Sequence, residues 1–361
     1  MNSLELAINS VSFGQIGVGL LRELYAQKTE PLPLFPISNN IDFSSYDEDQ
    51  GFLNWVQECL NCSNRAHNRD KTAFKLWHLN GALSSFSKNQ NLLTFYETDS
   101  PTETELNIIR NQNKVFVTSE YTKQIFETYG ADNVEYLPLF FDKKYFHRLD
   151  KTFFDDERVV FNVVGKLEKR KNHQSLIKAW AKKYGNNKKY YLNCAIFNPF
   201  LKPEENHQLW NHLLEGENYF NIKFHPFMSK NEMYNDFLNS ADIVLGMSGG
   251  ENWDLPVFHS VGIGKHAVIL NCNGYKSWAN KDNCTLINPN GKQPAYDGHF
   301  FIEGTQFNQG NFFTFAEDEF ISGCEEAIKK VEVSKVNENG LKLKDDFTAS
   351  KTVSILNKFN N

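Results

Sequence analysis

Cysteine, arginine and long apolar runs are all scarce in this 361-residue chain, and each shortage removes a class of protein. The six cysteines are scattered, only Cys59 and Cys62 lie close, and no second pair or histidine pair stands at zinc spacing. That pattern reads as free buried thiols rather than a disulfide framework, a zinc site or a redox motif. No apolar stretch approaches the roughly 20 residues that span a bilayer, and Met1-Asn2-Ser3-Leu4-Glu5-Leu6 has neither a basic flank nor a long apolar region. A cytoplasmic protein is expected. A formal charge of −6 speaks against a dedicated nucleic-acid binder. No Asp-x-Asp cluster closes a strand, so the expectation is a site with no metal and no cofactor.

What the chain does have is the composition of a globular protein, 40% hydrophobic and 23% charged, at a length that suits two domains. Strand and helix signals alternate. Strands are predicted at Leu4–Val11, Ala73–Leu79, Asn91–Tyr96, Lys114–Thr118 and Val134–Leu137, with helices at Gly17–Gln27 and Glu120–Tyr129. The stretch holding Pro31, Pro33 and Pro36 reads as a polar connection. Around Asp142–Asp156 the chain turns polar, as a linker and hinge would, and a second series follows. Its predicted strands are Arg158–Val164, Tyr190–Ile196, Ile222–Phe224, Ile243–Gly246 and Ala267–Asn271, and its helices Asn172–Lys183, Pro203–Leu214, Glu232–Asn239 and Val257–Ile263. Such alternation implies parallel sheets. The expected architecture is α/β, two Rossmann-like parallel-sheet domains facing across a cleft, with boundaries at 1–150 and 151–344. Residues 345–361 would add a C-terminal helix that crosses back to the first domain. Asn288–Phe315, rich in Gly, Asn and Phe, is a long ordered loop region, and loops of that length are usually functional or mobile.

Three stretches carry candidate chemistry. In Ser248-Gly249-Gly250-Glu251-Asn252-Trp253-Asp254-Leu255-Pro256-Val257-Phe258-His259, a strand stops at two glycines and a proline opens a helix. Open α/β sheets bind ligands at such strand ends; helix-start amides favour anions, whereas Glu251 accepts hydrogen bonds as from sugar hydroxyls. A phosphorylated sugar satisfies both. In Gly165-Lys166-Leu167-Glu168-Lys169-Arg170-Lys171-Asn172, four cationic side chains follow a strand end, which suits a diphosphate; a charge run is usually a solvated turn, but its position at a strand end favours the functional reading. In Phe13-Gly14-Gln15-Ile16-Gly17-Val18-Gly19, a glycine-rich turn could approach phosphate closely, but the spacing misses the dinucleotide fingerprint.

The order of these motifs resembles glycosyltransferases of the two-domain GT-B fold, and within them the retaining family 4. In that family a G-R-L-x-x-x-K-G strand end supplies Arg and Lys to the donor diphosphate; Lys166 and Lys171 match them. The family's E-G-F-G-L-P-x-x-E is matched by Glu251-Asn252-Trp253-Asp254-Leu255-Pro256-Val257-Phe258-His259, with His259 where the family carries its second Glu. Lys114–Glu120 followed by Tyr136-Leu137-Pro138 is similar to the end of the family's acceptor domain. The family's N-domain His has no counterpart in Thr94–Asp99; His78, set between apolar residues, reads first as a core histidine.

The resemblance implies transfer of a hexose-like sugar from a UDP- or GDP-sugar to an acceptor hydroxyl, with retention, on a glycan or glycolipid acceptor. Lys166, Lys171 and Glu251 would be the catalytic set. Gly17, Phe227, Met228, Asn252, Trp253, Asp254, Leu255 and His259 would bind the donor, with the base against the turn Phe224-His225-Pro226-Phe227-Met228, and Glu97 and Asp99 would meet the acceptor. A soluble chain of this kind is compatible with peripheral membrane contact, and its oligomeric state is not legible. A catalytically weakened nucleotide-sugar binder and a DNA-modifying glycosyltransferase are the alternatives.

Overall fold

In a computed structural model, which describes residues 1–151 and 153–359 (of Asn39 the backbone alone), the alternation resolves into two six-stranded sheets. The first is built from β1 (Ser3–Ile8), α1 (Ser12–Ala26), β2 (Leu34–Ile41), α2 (Gln50–Arg65), β3 (Ala73–Leu76), β4 (Gln90–Leu93), α3 (Glu103–Arg110), β5 (Lys114–Val117), α4 (Glu120–Thr128) and β6 (Val134–Tyr136). Its order is β2-β1-β3-β4-β5-β6, every pair parallel. The second contains β7 (Val159–Gly165), α5 (His173–Tyr184), β8 (Tyr190–Ile196), α6 (Pro203–Leu213), β9 (Ile222–Phe224), α7 (Asn231–Asn239), β10 (Ile243–Gly246), α8 (Leu255–Gly262), β11 (His266–Leu270) and β12 (Thr285–Ile287). Its order is β12-β11-β10-β7-β8-β9, again all parallel. An antiparallel pair, β13 (Gly291–Pro294) and β14 (Asn311–Thr314), stands apart, followed by α9 (Glu317–Val333), the single turns α10 (Glu338–Leu341) and α11 (Leu343–Asp346), and α12 (Ala349–Asn357).

Several expectations change here. Of the Pro-containing stretch, Pro31 and Pro33 do lie in a connection, but Pro36 belongs to β2, an edge strand, where proline is tolerated. The glycine-rich segment is no turn: Gly14, Gly17 and Gly19 all lie inside α1. A Cβ at Gly17 would stand 2.5 Å from the Ala7 carbonyl oxygen, and one at Gly19 would stand 2.4 Å from the Phe140 ring. Their absence lets α1 lie close on β1, so Gly17 serves packing and not the expected approach to a donor. The Asp142–Asp156 linker is not polar throughout. Tyr145 and Phe146 are buried, and Asp142 is an ion-pair partner of Arg22.

The chain crosses between domains twice, side by side, where Phe141 N donates to Phe347 O at 2.9 Å. Beyond the second crossing, α12 packs on α1 of the first domain. Thr352 Oγ1 donates to Pro138 O (3.0 Å), Asn91 Nδ2 to Phe359 O (2.9 Å), and the Met1 ammonium to Asn357 Oδ1 (2.9 Å). Cys59 and Cys62 are unbridged, as are the other four cysteines, and five of the six are buried. Among the described residues no helix is long and apolar enough to cross a membrane.

Gly17 separates two opposed effects. Helix propensity alone favours Ala over Gly by about 1 kcal/mol, whereas the clash with a backbone carbonyl should cost roughly 1–3 kcal/mol. Gly17→Ala is therefore expected to lower the urea midpoint despite its better helix residue.

Candidate functional site

The ends of β7 and β10 face the first domain and carry the two candidate stretches. After β7 the chain makes a 3-10 turn at Lys169–Lys171, then enters α5 through Asn172 in the left-handed region (φ 58°). Asn172 Nδ2 donates to Met247 O (2.9 Å) and Phe313 O (3.0 Å), which fixes this turn against the loop after β10. That loop is held in turn by Gly249 N donating to Arg170 O (2.9 Å). Two glycines are needed there because a Cβ would stand 1.8 Å from Phe313 O at Gly249 and 2.7 Å from Glu97 O at Gly250.

The basic run is not a solvated turn. Lys169 alone is exposed among residues 168–171, donating to Pro294 O and Tyr296 O, while Glu168, Arg170 and Lys171 are buried. Arg170, unnoticed as a separate site residue in the sequence, is the hub. Its guanidinium meets Glu168 at 2.7 Å, Glu251 at 3.0 Å and, from the first domain, Glu97 at 3.1 Å, and it also donates to Gly250 O. The signal was present in that the run contains one arginine, whose planar fork suits several carboxylates at once where lysine is a point charge. Lys171 pairs with Glu251 and lies 3.9 Å from Asp254. Lys166, partly exposed, pairs with Glu168 at 2.9 Å and lies over the rings of Phe200 and Phe300.

Three cations and four carboxylates thus meet, and burial decides their protonation. Desolvation opposes every charge. For Glu168 the neighbouring Arg170 and Lys166 outweigh it and hold the carboxyl down at about 2. For Glu251, Lys171 and Arg170 likewise win and lower it. Lys171 is raised because Asp254 and Glu251 together exceed its burial cost. Asp254 goes the other way, pushed up to about 6 by burial and by the Glu251 charge beside it, against the pull of Lys171. Glu97 is also raised by burial, with Arg170 opposing. For those two carboxyls burial and neighbouring like charge make ionisation harder, which weakens their hold on the cations beside them.

The other nominated residues are distributed around this hub. Asp254, in the left-handed region (φ 61°), is the N-cap of α8, and its Oδ2 accepts from Tyr275 OH at 2.6 Å. A carboxylate of the chain itself therefore stands where the helix-start amides were expected to meet an anion. Trp253 is buried against Phe258 and Phe347, and Asn252 O accepts from Thr118 Oγ1 of the first domain at 3.0 Å; both brace the loop from behind. Leu255 is partly exposed at the start of α8. Arg170 Nε, Asn252 Nδ2, Asp254 Oδ1 and Asn273 Oδ1 are buried without protein partners around the same loop. Such atoms call for a polar guest or water.

His259 turns away from this cluster. It stacks on Phe146 at 4.0 Å with an interplanar angle of 16°, and its Nε2 accepts the Asp142 N–H at 3.4 Å. Its one neutral acceptor is thus spent on the linker, so it has none left for a ribose hydroxyl. Phe227 is exposed and lies 6.3 Å from Phe197 between ring centroids, with Met228 partly buried beside the core. Asp99 does not open on the cleft but pairs with Lys292 at 2.7 Å. His78 is not in the core: it is solvent-accessible after β3, against Phe13 and Trp77. The protein packed around one side of it and then the Lys166 charge lower its pKa. Among the described residues no cluster of three or more His, Cys, Asp or Glu could hold a metal ion.

No protein-family profile and no curated protein matches the sequence. Among solved structures, sucrose-phosphate synthase from Thermosynechococcus elongatus superposes at a TM-score of 0.71, with 11% identity over 99% of this chain and 98% of that one. Anabaena HepE in complex with UDP-glucose gives 0.66, at 14% identity over 99% and 98%. A glycosyltransferase from Rickettsia africae gives 0.65, at 11% identity over 99% and 98%. The chain has the GT-B fold. At these identities the likeness is one of architecture: the paired parallel sheets and the cleft of GT-B proteins are reproduced end to end, and the Arg170 hub lies where the two GT-B domains meet.

His259 provides a pH handle. Its pKa is lowered from 6.5 to about 4 by burial, so the unfolded chain takes up the proton first as pH falls. Its contribution is complete above about pH 6.5 and is lost as pH drops to about 4, a swing of roughly 3 kcal/mol for a shift of that size. Urea titrations across this window should show the parent losing stability relative to His259→Gln, and parallel profiles would refute it.

Proposed function

We propose that this protein is a glycosyltransferase that moves a sugar from a nucleoside diphosphate sugar to an acceptor hydroxyl, with retention of configuration and without a metal. The observation that carries the reading is the buried group of Lys171, Arg170 and Glu251 at the ends of β7 and β10, facing the other domain across a GT-B cleft. Similarity in fold to a structure solved with UDP-glucose supports a nucleotide sugar as donor.

In this reading the diphosphate lies against Lys166 and Lys171. Charge accumulates on its leaving oxygens as the sugar departs, and fixed cations in a water-poor site stabilise that charge without reorganising. Glu251 orients the sugar through its hydroxyls. The departing phosphate takes the acceptor proton, so no protein base is needed, and proximity supplies the rest. Glu97 belongs to the first domain, and its contact with Arg170 is the element that changes when the cleft opens to admit a donor. Withdrawing this carboxylate leaves a more positive seat for the diphosphate. His78, held neutral at the cleft, can accept a hydrogen bond from the acceptor hydroxyl or the transferred sugar.

Lys171→Ala is expected to lower kcat by about 10²- to 10³-fold, the loss of one charge-assisted contact that strengthens in the transition state. Turnover within a few-fold of the parent, in a variant that keeps its melting temperature, would remove Lys171 from the mechanism. A thermal-shift series with UDP, GDP, ADP and their sugars identifies the donor, since a ligand that binds only the native state raises Tm. No shift with any of them would sink the reading.

A further inference from the structure

The segment between β12 and α9 leaves its own domain. Its base is seated on the candidate loop: Phe313 N donates to Gly249 O at 2.9 Å, and Phe312 is buried beside Gly250. Its tip reaches the other sheet. Lys292 pairs with Asp99 Oδ2 at 2.7 Å, and Asn311 N donates to Asp99 Oδ1 at 2.8 Å, so both oxygens of this carboxylate are engaged across the domain boundary. A Cβ at Gly310 (φ 113°) would stand 2.7 Å from Asp99 Oδ1, so the close approach needs glycine there. Thr102 Oγ1 donates to Gln306 O (2.6 Å) and Asn308 N to Glu105 Oε1 (2.9 Å). Thr102 and Glu105 also form the capping box of α3, so the surface that receives the arm is ordered by its own helix. Phe307 packs on the apolar cluster that contains Tyr96, Leu106 and Ile109.

We infer that residues 291–314 form a clasp that sets the register of the two domains, with Asp99 and Lys292 as positioning residues for the Glu97–Arg170 contact. Asp99 is two residues from Glu97 on the same loop, so fixing one fixes the other. The clasp is a noncovalent connection between the domains that stands apart from the covalent crossings at Phe141 and Phe347 and from the Arg170 hub. Its contacts are mostly polar and partly exposed, and such contacts are individually weak, so they align the domains without welding them. The catalytic role of this alignment rests on the transferase reading above; the clasp itself does not.

Small-angle scattering and steady-state transfer on the full chain separate the two. Asp99→Ala and Phe307→Ala, the second remote from the charged cluster, should each increase the radius of gyration while circular dichroism stays that of the parent. Asp99→Asn, which keeps the acceptor for Asn311 N, should show a smaller increase. In transfer assays kcat should fall by about tenfold or more with donor KM within about threefold, because donor contacts lie on one domain and only the assembled geometry is lost. An unchanged radius in folded Asp99→Ala and Phe307→Ala overturns the clasp. An increased radius with unchanged kcat overturns the positioning role. If the parent itself transfers no sugar, the transferase reading fails while the scattering result still decides the clasp.

Discussion

Arg170 gathers Glu168 and Glu251 from its own domain and Glu97 from the other, and the arrangement around it follows from the cost of burying charge. A guanidinium taken out of water is tolerable only when its donors are met by carboxylates, and those carboxylates in turn are tolerable only beside cations. Hence Lys171 stands on Glu251, Lys166 on Glu168, and Asp254 is driven toward its neutral form. Desolvation couples the members of the cluster to one another. Removing one member strands a charge, and for that reason the backbone beneath it is pinned by Asn172, Gly249 and Asn273 rather than left as free loop.

The second domain was the more legible in sequence. The strands Tyr190–Ile196, Ile222–Phe224 and Ile243–Gly246 coincide with prediction because each is a short β-branched or aromatic run bounded by turn residues. The elements that escaped had conflicting local signals. β2 carries Pro36 and two asparagines, α2 has a mostly polar face, and α9 begins with three acidic residues after a phenylalanine-rich stretch. Gly14, Gly17 and Gly19 looked like a turn because their value is set by close approach to Asn9, Ala7 and Phe140, which depends on how α1 folds back on β1 and, for Phe140, on a residue far along the chain.

The site was legible to the same degree. Lys166, Lys171 and Glu251 are brought together as their motif order implied, whereas the part played by Arg170 depends on Glu97, some seventy residues earlier. Side-chain direction was the other hidden quantity. Trp253, Asp254 and His259 are neighbours in sequence after β10, but a helix that begins at Leu255 turns His259 toward Phe146, and the left-handed backbone at Asp254 turns its carboxyl toward Tyr275. Sequence spacing carries no record of that rotation.

The return of α12 to the first domain bears on how the protein is made. The Met1 ammonium is bonded to Asn357, and α1 is packed against a helix that begins at Ala349. During synthesis the first domain emerges with that face of α1 bare, and it stays bare until the whole second domain and then α12 have been made. Domains usually finish folding in the order in which they are translated. Here the first to appear is the last to be completed, and the second domain folds while its predecessor still exposes an unfinished apolar surface.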